Sequence, residues 1–120
     1  ILENGAAGES AAMSQDVVDA LKYISENFSE TIVLRDIAAG LHVSVNTLER
    51  HFKSQTGITM REYLSQKRFA NAARLLGESA SVFEAYEKSG FSDYSHFISL
   101  FKKRFGVTPL TYQKRLHQSK

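Results

Sequence analysis

Apolar residues recur at intervals of three and four along most of this chain, which is the pattern of amphipathic helices. Strand-like alternation is scarce, and only seven glycines and one proline are available to interrupt helices. The pattern therefore predicts an all-α protein of about seven helices. Short segments that contain a capping Ser, Thr or Asp, or a glycine, separate these helices.

The first half of the chain has the outline of a helix-turn-helix. Ser14 is a candidate cap for the first helix, and a brief second helix begins at Leu34. Ser44 is the expected cap of the third helix, which should end at Gly57 because glycine readily adopts the left-handed conformation of a helix stop. Residues 34–56 thus form helix, turn and helix.

Capping boxes mark the helices that follow. Residues 59–62 (Thr-Met-Arg-Glu) open a long helix that ends near Leu76, and residues 81–84 (Ser-Val-Phe-Glu) open a short helix that stops at Gly90. Ser92 or Asp93 caps the sixth helix. The last helix starts with the cap and first-turn proline of residues 108–109.

Aromatic and aliphatic residues at inward helical spacing are expected to form the core. These positions include Leu48, Phe52, Tyr63, Phe69, Phe97, Phe101, Phe105 and Tyr112. Arg68 or Arg74 is a candidate for a salt bridge at the edge of that core.

The second half of the chain repeats the first. A shift of 49 residues pairs Ser44 with Asp93, Leu48 with Phe97, Phe52 with Phe101, Lys53 with Lys102, Gly57 with Gly106, Thr59 with Thr108 and Tyr63 with Tyr112. The chain therefore contains two helix-turn-helix units joined by the long helix. We expect a flexible linker or expression remnant at 1–13, the first helix-turn-helix subdomain at 14–57, the linker helix at 58–77 and the second subdomain at 78–120.

The length of the linker helix suits a tandem DNA reader. A helix of about 17 residues spans roughly 25 Å. Recognition helices that enter successive major grooves lie about 34 Å apart. The length of the linker helix, together with the offset of the helices at its two ends, is of this order. One monomer could therefore place two recognition helices in adjacent grooves.

The charge distribution favours a polyanionic partner. Residues 1–40 carry seven acidic and two basic residues, whereas residues 41–120 carry thirteen basic and six acidic residues. Many solvated helical surfaces have a similar balance, so charge alone does not decide the partner. The absence of cysteine excludes a disulfide framework and a thiolate metal site.

The exposed face of the third helix carries groups that can read base edges. Asn46, Glu49 and Arg50 share this face near the helix N-terminus. Asn can pair with adenine, Glu can accept from cytosine, and Arg can bridge guanine O6 and N7. The alternative is a solvated face on which Glu49 and Lys53 form a pair at i,i+4 spacing.

The sixth helix has weaker reading chemistry. Ser95, His96 and Ser99 are expected to contact bases, with a phosphate or cap contact also open for His96, and Ile98 is expected to face outward. No arginine lies among them, so the second unit should read sequence less stringently and depend more on phosphates. The phosphate contacts predicted for the two units are Ser44, Lys53, Arg61, Lys67, Tyr94, Lys102, Lys103 and Arg104.

Two stretches resemble a known family. Residues 37–72 are similar to the first half of the AraC/XylS-type transcription-factor DNA-binding domain. The positions that carry this resemblance are Ile37, Ala38, Ser44, Leu48, Phe52, Lys53, Gly57, Tyr63, Arg68 and Ala72. Residues 90–97 (Gly-Phe-Ser-Asp-Tyr-Ser-His-Phe) and 105–109 (Phe-Gly-Val-Thr-Pro) resemble its second half. The resemblance covers about residues 15–116. It implies a seven-helix domain with two helix-turn-helix units that activates or represses bacterial promoters.

Four positions depart from the family pattern, and one of them is Met60, which stands where proline is common. Ala85 and Tyr86 stand where a larger aliphatic residue and then alanine are usual, so the fifth helix is expected to pack differently. Gln113 stands where arginine is common.

The function expected from these features is sequence-specific binding of double-stranded DNA by a cytoplasmic, nucleoid-associated bacterial regulator. The four histidines lack metal-ligand spacing and no glycine-rich phosphate loop is present, so we expect no enzyme activity, catalytic residue, metal or cofactor. Other expected partners are RNA polymerase and an effector or dimerisation domain before residue 1, but no membrane. The competing hypothesis is a helical protein-interaction module, for example one that contacts RNA polymerase, with only non-specific DNA affinity.

Overall fold

The computed structural model describes residues 13–118, so the linker expected at residues 1–13 lies, apart from Met13, outside the described range. Seven helices and no strands occupy that range, which confirms the predicted fold class. They are α1 (Gln15–Asn27), α2 (Leu34–Gly40), α3 (Val45–Thr56), α4 (Met60–Gly77), α5 (Val82–Lys88), α6 (Tyr94–Phe105) and α7 (Pro109–Gln118). None of these helices is both long enough and apolar enough to cross a bilayer.

The ends of α3 and α6 follow the predicted capping chemistry. Ser44 Oγ accepts a hydrogen bond from the Thr47 backbone N–H at 3.0 Å, and Asp93 Oδ1 accepts from the His96 backbone N–H at 2.9 Å. Gly57 closes α3 with φ +86°, and Gly106 closes α6 with φ +85°. Glycine has no Cβ and occupies this left-handed conformation without the steric cost that other residues meet.

The cap of α5 forms only half of the predicted capping box. Ser81 Oγ accepts from the Glu84 backbone N–H at 3.0 Å. The Glu84 carboxylate accepts from Lys88 Nζ at 2.9 Å, one turn further along, and so is directed away from the cap.

The described chain divides into two compact units. The first contains residues 13–27 and 32–63, and the second contains residues 28–31 and 64–118. Helix α4 continues from the first unit into the second without a break. Each unit therefore has its own helix-turn-helix, α2–α3 in the first and α5–α6 in the second.

The core of the first unit is formed by the inward faces of its helices. Val17, Ala20, Ile24, Ile37, Ala38, Leu48, Phe52 and Met60 are buried. The half-buried Tyr63 ring packs edge-on against Phe52 at 5.9 Å, and its hydroxyl lies 2.9 Å from the Ser25 hydroxyl. The Tyr63 hydroxyl is thus paired at the edge of this core.

The core of the second unit is centred on aromatic rings. Its buried residues are Phe69, Ala72, Leu76, Ala85, Phe97 and Phe101. Phe105 was expected in the core but is only half-buried at its edge, where its ring stacks on Phe101 at 4.2 Å. Ile98 is also half-buried and packs against this core, so the prediction that it faces outward was wrong.

Two polar side chains hold distant backbone carbonyls in the second unit. Arg68 donates from Nε to the Phe28 carbonyl at 2.7 Å and from Nη2 to the Glu30 carbonyl at 2.9 Å. Arg68 therefore binds backbone carbonyls and forms no salt bridge within residues 13–118. Of the two arginines predicted as salt-bridge candidates, Arg74 forms one, with Glu78, and both of these side chains are exposed. The departure at Gln113 has a structural use, because its Nε2 donates to two carbonyls, those of Leu76 at 3.1 Å and Ala80 at 2.6 Å.

Candidate nucleic-acid interface

Helix α3 presents a polar face that is available to a ligand. Leu48 and Phe52 are fully buried, so the helix cannot rotate about its axis without exposing them. Asn46, Glu49 and Arg50 are all exposed on the opposite side. Within residues 13–118, no side chain forms an ion pair with Glu49 or Arg50, and the alternative pair between Glu49 and Lys53 is not formed.

A polar contact that the sequence did not predict ties α3 to the start of α1. His51 Nδ1 lies 2.7 Å from Asp16 Oδ2, and Gln55 Nε2 donates to Ser14 Oγ at 2.9 Å. Burial raises the pKa of Asp16, but hydrogen bonds from Ser14 and His51, and the charge of protonated His51, leave it below its ordinary value of 3.8. The helix that bears Arg50 is therefore fixed by polar contacts beside its apolar face as well as by the buried Leu48 and Phe52.

Helix α6, like α3, is fixed by two buried aromatic or aliphatic side chains, but the groups on its exposed face are smaller. Phe97 and Phe101 are buried, whereas Ser95, His96 and Ser99 are exposed. The Asp93 carboxylate receives the His96 backbone N–H, so the predicted cap contact at His96 is made by its main chain. Its imidazole remains exposed, and its contact with a base stays a prediction.

The residues predicted to contact phosphate differ in their exposure and in the contacts that their side chains already make. Lys67 is half-buried, and the other seven are exposed: Ser44, Lys53, Arg61, Tyr94, Lys102, Lys103 and Arg104. The Ser44 hydroxyl is occupied by its capping bond and donates to Thr47 Oγ1. The Arg104 guanidinium lies over the Phe69 ring, 4.9 Å from its centroid, so this cation also packs against the core.

Three rings form an aromatic surface cluster where α5 meets the start of α6: Phe83, Tyr86 and Tyr94. Their centroids are separated by 5.3 Å (Phe83–Tyr86), 5.5 Å (Phe83–Tyr94) and 5.0 Å (Tyr86–Tyr94). Phe83 is 52% exposed and Tyr94 is 39% exposed. This cluster was not predicted from the sequence. The adjacent apolar residues Val82 and Phe83 are a signal for it, because neighbouring positions of a short helix cannot both face inward.

The departure at Ala85 and Tyr86 is part of the same arrangement. Ala85 is fully buried, and the Tyr86 ring lies 5.6 Å from that of the buried Phe97. The tyrosine ring thus links the surface cluster to the core of the second unit.

The described residues contain no group of three or more His, Asp or Glu side chains that could hold a metal ion. The exposed chemistry of α3 and α6 consists of hydrogen-bonding groups and cations.

Comparison with known proteins identifies this arrangement. A family model described as a helix-turn-helix domain matches residues 37–115. The HTH-type transcriptional activator RhaS of Citrobacter koseri is 35% identical over 109 residues, which are 90% of this chain and 38% of RhaS. The chain thus spans well under half the length of this relative.

Solved structures match both units. The C-terminal domain of AraT, a response regulator from Geobacillus stearothermophilus, has a TM-score of 0.82 at 32% identity, with 88% of each chain covered. The DNA-binding domain of the global transcriptional factor AdpA, solved in complex with a target DNA, has a TM-score of 0.82 at 26% identity, covering 89% of this chain and 97% of that one. The chain belongs to the AraC-type family of helix-turn-helix domains.

Proposed function

We propose that this chain is the sequence-specific, double-stranded DNA-binding domain of a bacterial transcription regulator. Helices α3 and α6 are its recognition helices, and each enters a major groove to read one block of base pairs. Lysine and arginine side chains around them hold the phosphate backbone.

The observation that carries the proposal is the exposed face of α3. Asn46, Glu49 and Arg50 together offer an amide, a carboxylate and a guanidinium on one side of a helix that is fixed by Leu48 and Phe52. These are the three side-chain types that pair with adenine, cytosine and guanine in the major groove. An α-helix fits that groove, and residues near its N-terminus meet the base edges.

Similarity to a domain that has been solved on DNA supports the same function. The AdpA domain in that structure is bound to a target DNA, and 97% of it is matched by this chain. The relative RhaS is described as a transcriptional activator, which supports activation as the regulatory outcome here.

The second unit contributes mainly through the backbone of the DNA. Ser95, His96 and Ser99 lack the bidentate groups that bind base edges most selectively. Lys102 and Lys103 are exposed in the last turn of α6. Phosphate contacts position a protein on the duplex without selecting its sequence. We therefore assign most of the sequence preference to α3.

The wider role follows from the same proposal. The domain acts in the bacterial cytoplasm on the nucleoid, has no catalytic chemistry of its own, and works with RNA polymerase. An effector or dimerisation domain elsewhere in the regulator supplies control.

Selection from a randomised duplex library tests this function. Fluorescence anisotropy then measures the affinity for the selected duplex and for a random duplex at two salt concentrations. We expect two enriched blocks about one helical turn apart, bound by one monomer, with affinity that falls steeply with salt because phosphate contacts release counterions.

The other outcomes separate the competing hypotheses. One enriched block would assign sequence reading to a single unit. No enrichment and no salt dependence would contradict the proposal and favour the protein-interaction module.

A further inference from the structure

We infer that Phe83 is a specificity-determining residue of the second unit, whose ring contacts the 5-methyl groups of thymines in the groove that α6 enters. The inference rests on the proposed DNA-binding function and assigns to α5 an apolar contact that complements the polar face of α6. Tyr94 supports the Phe83 ring and keeps its hydroxyl for the phosphate contact already proposed.

The ring of Phe83 is exposed but not free to move. It is 52% exposed, yet it packs against Tyr86 at 5.3 Å and Tyr94 at 5.5 Å. Tyr86 in turn lies 5.6 Å from Phe97, which is buried. A ring held in this way loses little conformational entropy on binding, which is the property of an aromatic contact residue.

The position of the cluster places it at the edge of the groove. In a helix-turn-helix the start of the recognition helix meets the bases, and the preceding helix crosses the DNA backbone. Tyr94 is the first residue of α6, and Phe83 is the second residue of α5. Because their rings are in contact, Phe83 lies on the side of the unit from which α6 enters the groove.

The chemistry of the groove then selects the partner. Phosphate oxygens and most base edges offer hydrogen-bonding groups, which a phenyl ring cannot satisfy. The thymine C5-methyl is the apolar group on the major-groove edge, and phenylalanine is among the side chains that contact it. On α6, Ser95 and Ser99 can accept from or donate to any base, so an apolar contact by Phe83 supplies discrimination that these two hydroxyls do not.

The test removes one methyl group from the DNA at a time. In the selected duplex, each thymine of the α6 block is replaced by deoxyuridine, which keeps the base pair but lacks the 5-methyl. For the wild-type chain we expect at least one replacement to weaken binding about fourfold, the value for one buried methylene-sized group. The variant Phe83→Ala should bind the thymine duplex about as weakly and should show no further loss with deoxyuridine.

Two further variants control for indirect effects. Phe83→Leu keeps an apolar side chain and should retain part of the deoxyuridine penalty. Tyr23→Ala removes a ring of similar exposure (44%) from α1 and should retain the full penalty. Circular dichroism confirms that each variant is folded.

The inference is overturned if Phe83→Ala keeps the full penalty, or if no thymine in the α6 block is sensitive while the wild type still binds its site. The second result would leave DNA binding intact and make the cluster a surface for another partner. A wild type that binds no duplex would instead contradict the proposed function itself.

Discussion

Arg50 and Lys53 are exposed cations on α3, but they are proposed to meet different parts of the DNA. Arg50 shares its face with Asn46 and Glu49, which carry base-reading groups. Lys53 lies in the last turn of the helix and is proposed to bind phosphate. Base contacts select sequence and phosphate contacts do not.

Arg50→Ala is therefore expected to cost about 1–3 kcal/mol on the selected duplex and to relax the preference at one base position. Anisotropy titrations on the selected and random duplexes measure this as a fall in their affinity ratio. Lys53→Ala is the matched control and should weaken binding to both duplexes alike. An equal loss on both duplexes for Arg50→Ala would remove its reading role.

Individual residues could be predicted from sequence where their partners are close in the chain. Ser44 and Asp93 cap helices by accepting from an N–H three residues later, so spacing alone identifies them. Arg68 and Gln113 bind carbonyls 40 and 33 residues away, respectively, and no local pattern shows such partners. The Asp16–His51 contact was missed for the same reason, because 35 residues separate the pair.

At the scale of elements, the turn between α5 and α6 depends on how closely Gly90 approaches another segment. Gly90 has φ +92°, and a Cβ built on it would lie 2.5 Å from the Phe28 carbonyl oxygen and 2.9 Å from Ser29 Cα. Gly106, after α6, has a similar φ of +85° but open space around it. The two glycines thus share one backbone requirement and differ in packing.

Gly90→Ala is expected to destabilise the protein by about 2–4 kcal/mol, because left-handed strain and a clash with backbone atoms add together. Gly106→Ala meets only the strain and should cost about 1–2 kcal/mol. Chemical denaturation of both variants and the wild type gives the two values. An equal loss in the free energy of unfolding for both variants would show that the close approach of Gly90 to residues 28–29 does not affect stability.

The seven helices were predictable because each has an apolar period and, except for α2, which begins after Val33 without a side-chain cap, a local start signal. The depth at which their side chains lie was harder to predict. The helical period predicted that Phe105 faces the core and that Ile98 faces solvent, yet both are half-buried at the edge of the same core. Burial depends on which neighbouring helix covers a residue, and helical period does not contain that information.

At the scale of the whole molecule, the family and the tandem repeat followed from sequence, whereas the aromatic cluster needed the structure. Landmarks from Ser44 onward recur 49 residues apart, but Phe83, Tyr86 and Tyr94 come from two helices and are brought together only by the fold. Long-range charge also acts at this scale, since thirteen of the fifteen Lys and Arg residues lie after residue 40.

Lys102→Ala should weaken binding to every duplex and reduce the slope of log affinity against log salt by about 1, because one phosphate contact is lost. Titrations at several salt concentrations measure this slope. Arg104→Ala provides a contrast, because its guanidinium packs over Phe69 and its loss should also lower the stability of the second unit. An unchanged slope for Lys102→Ala would exclude Lys102 as a phosphate contact.

The uninterrupted passage of α4 from one unit into the other has a kinetic consequence. Under the proposed function, once either unit has bound its block of DNA, the second unit stays near its own block at a high effective concentration, and its binding becomes an intramolecular step. Release then requires both units to dissociate before either rebinds. A second unit with weak readers such as Ser95 and Ser99 would therefore still lengthen the residence time of the whole domain, and its affinity in isolation would understate its contribution.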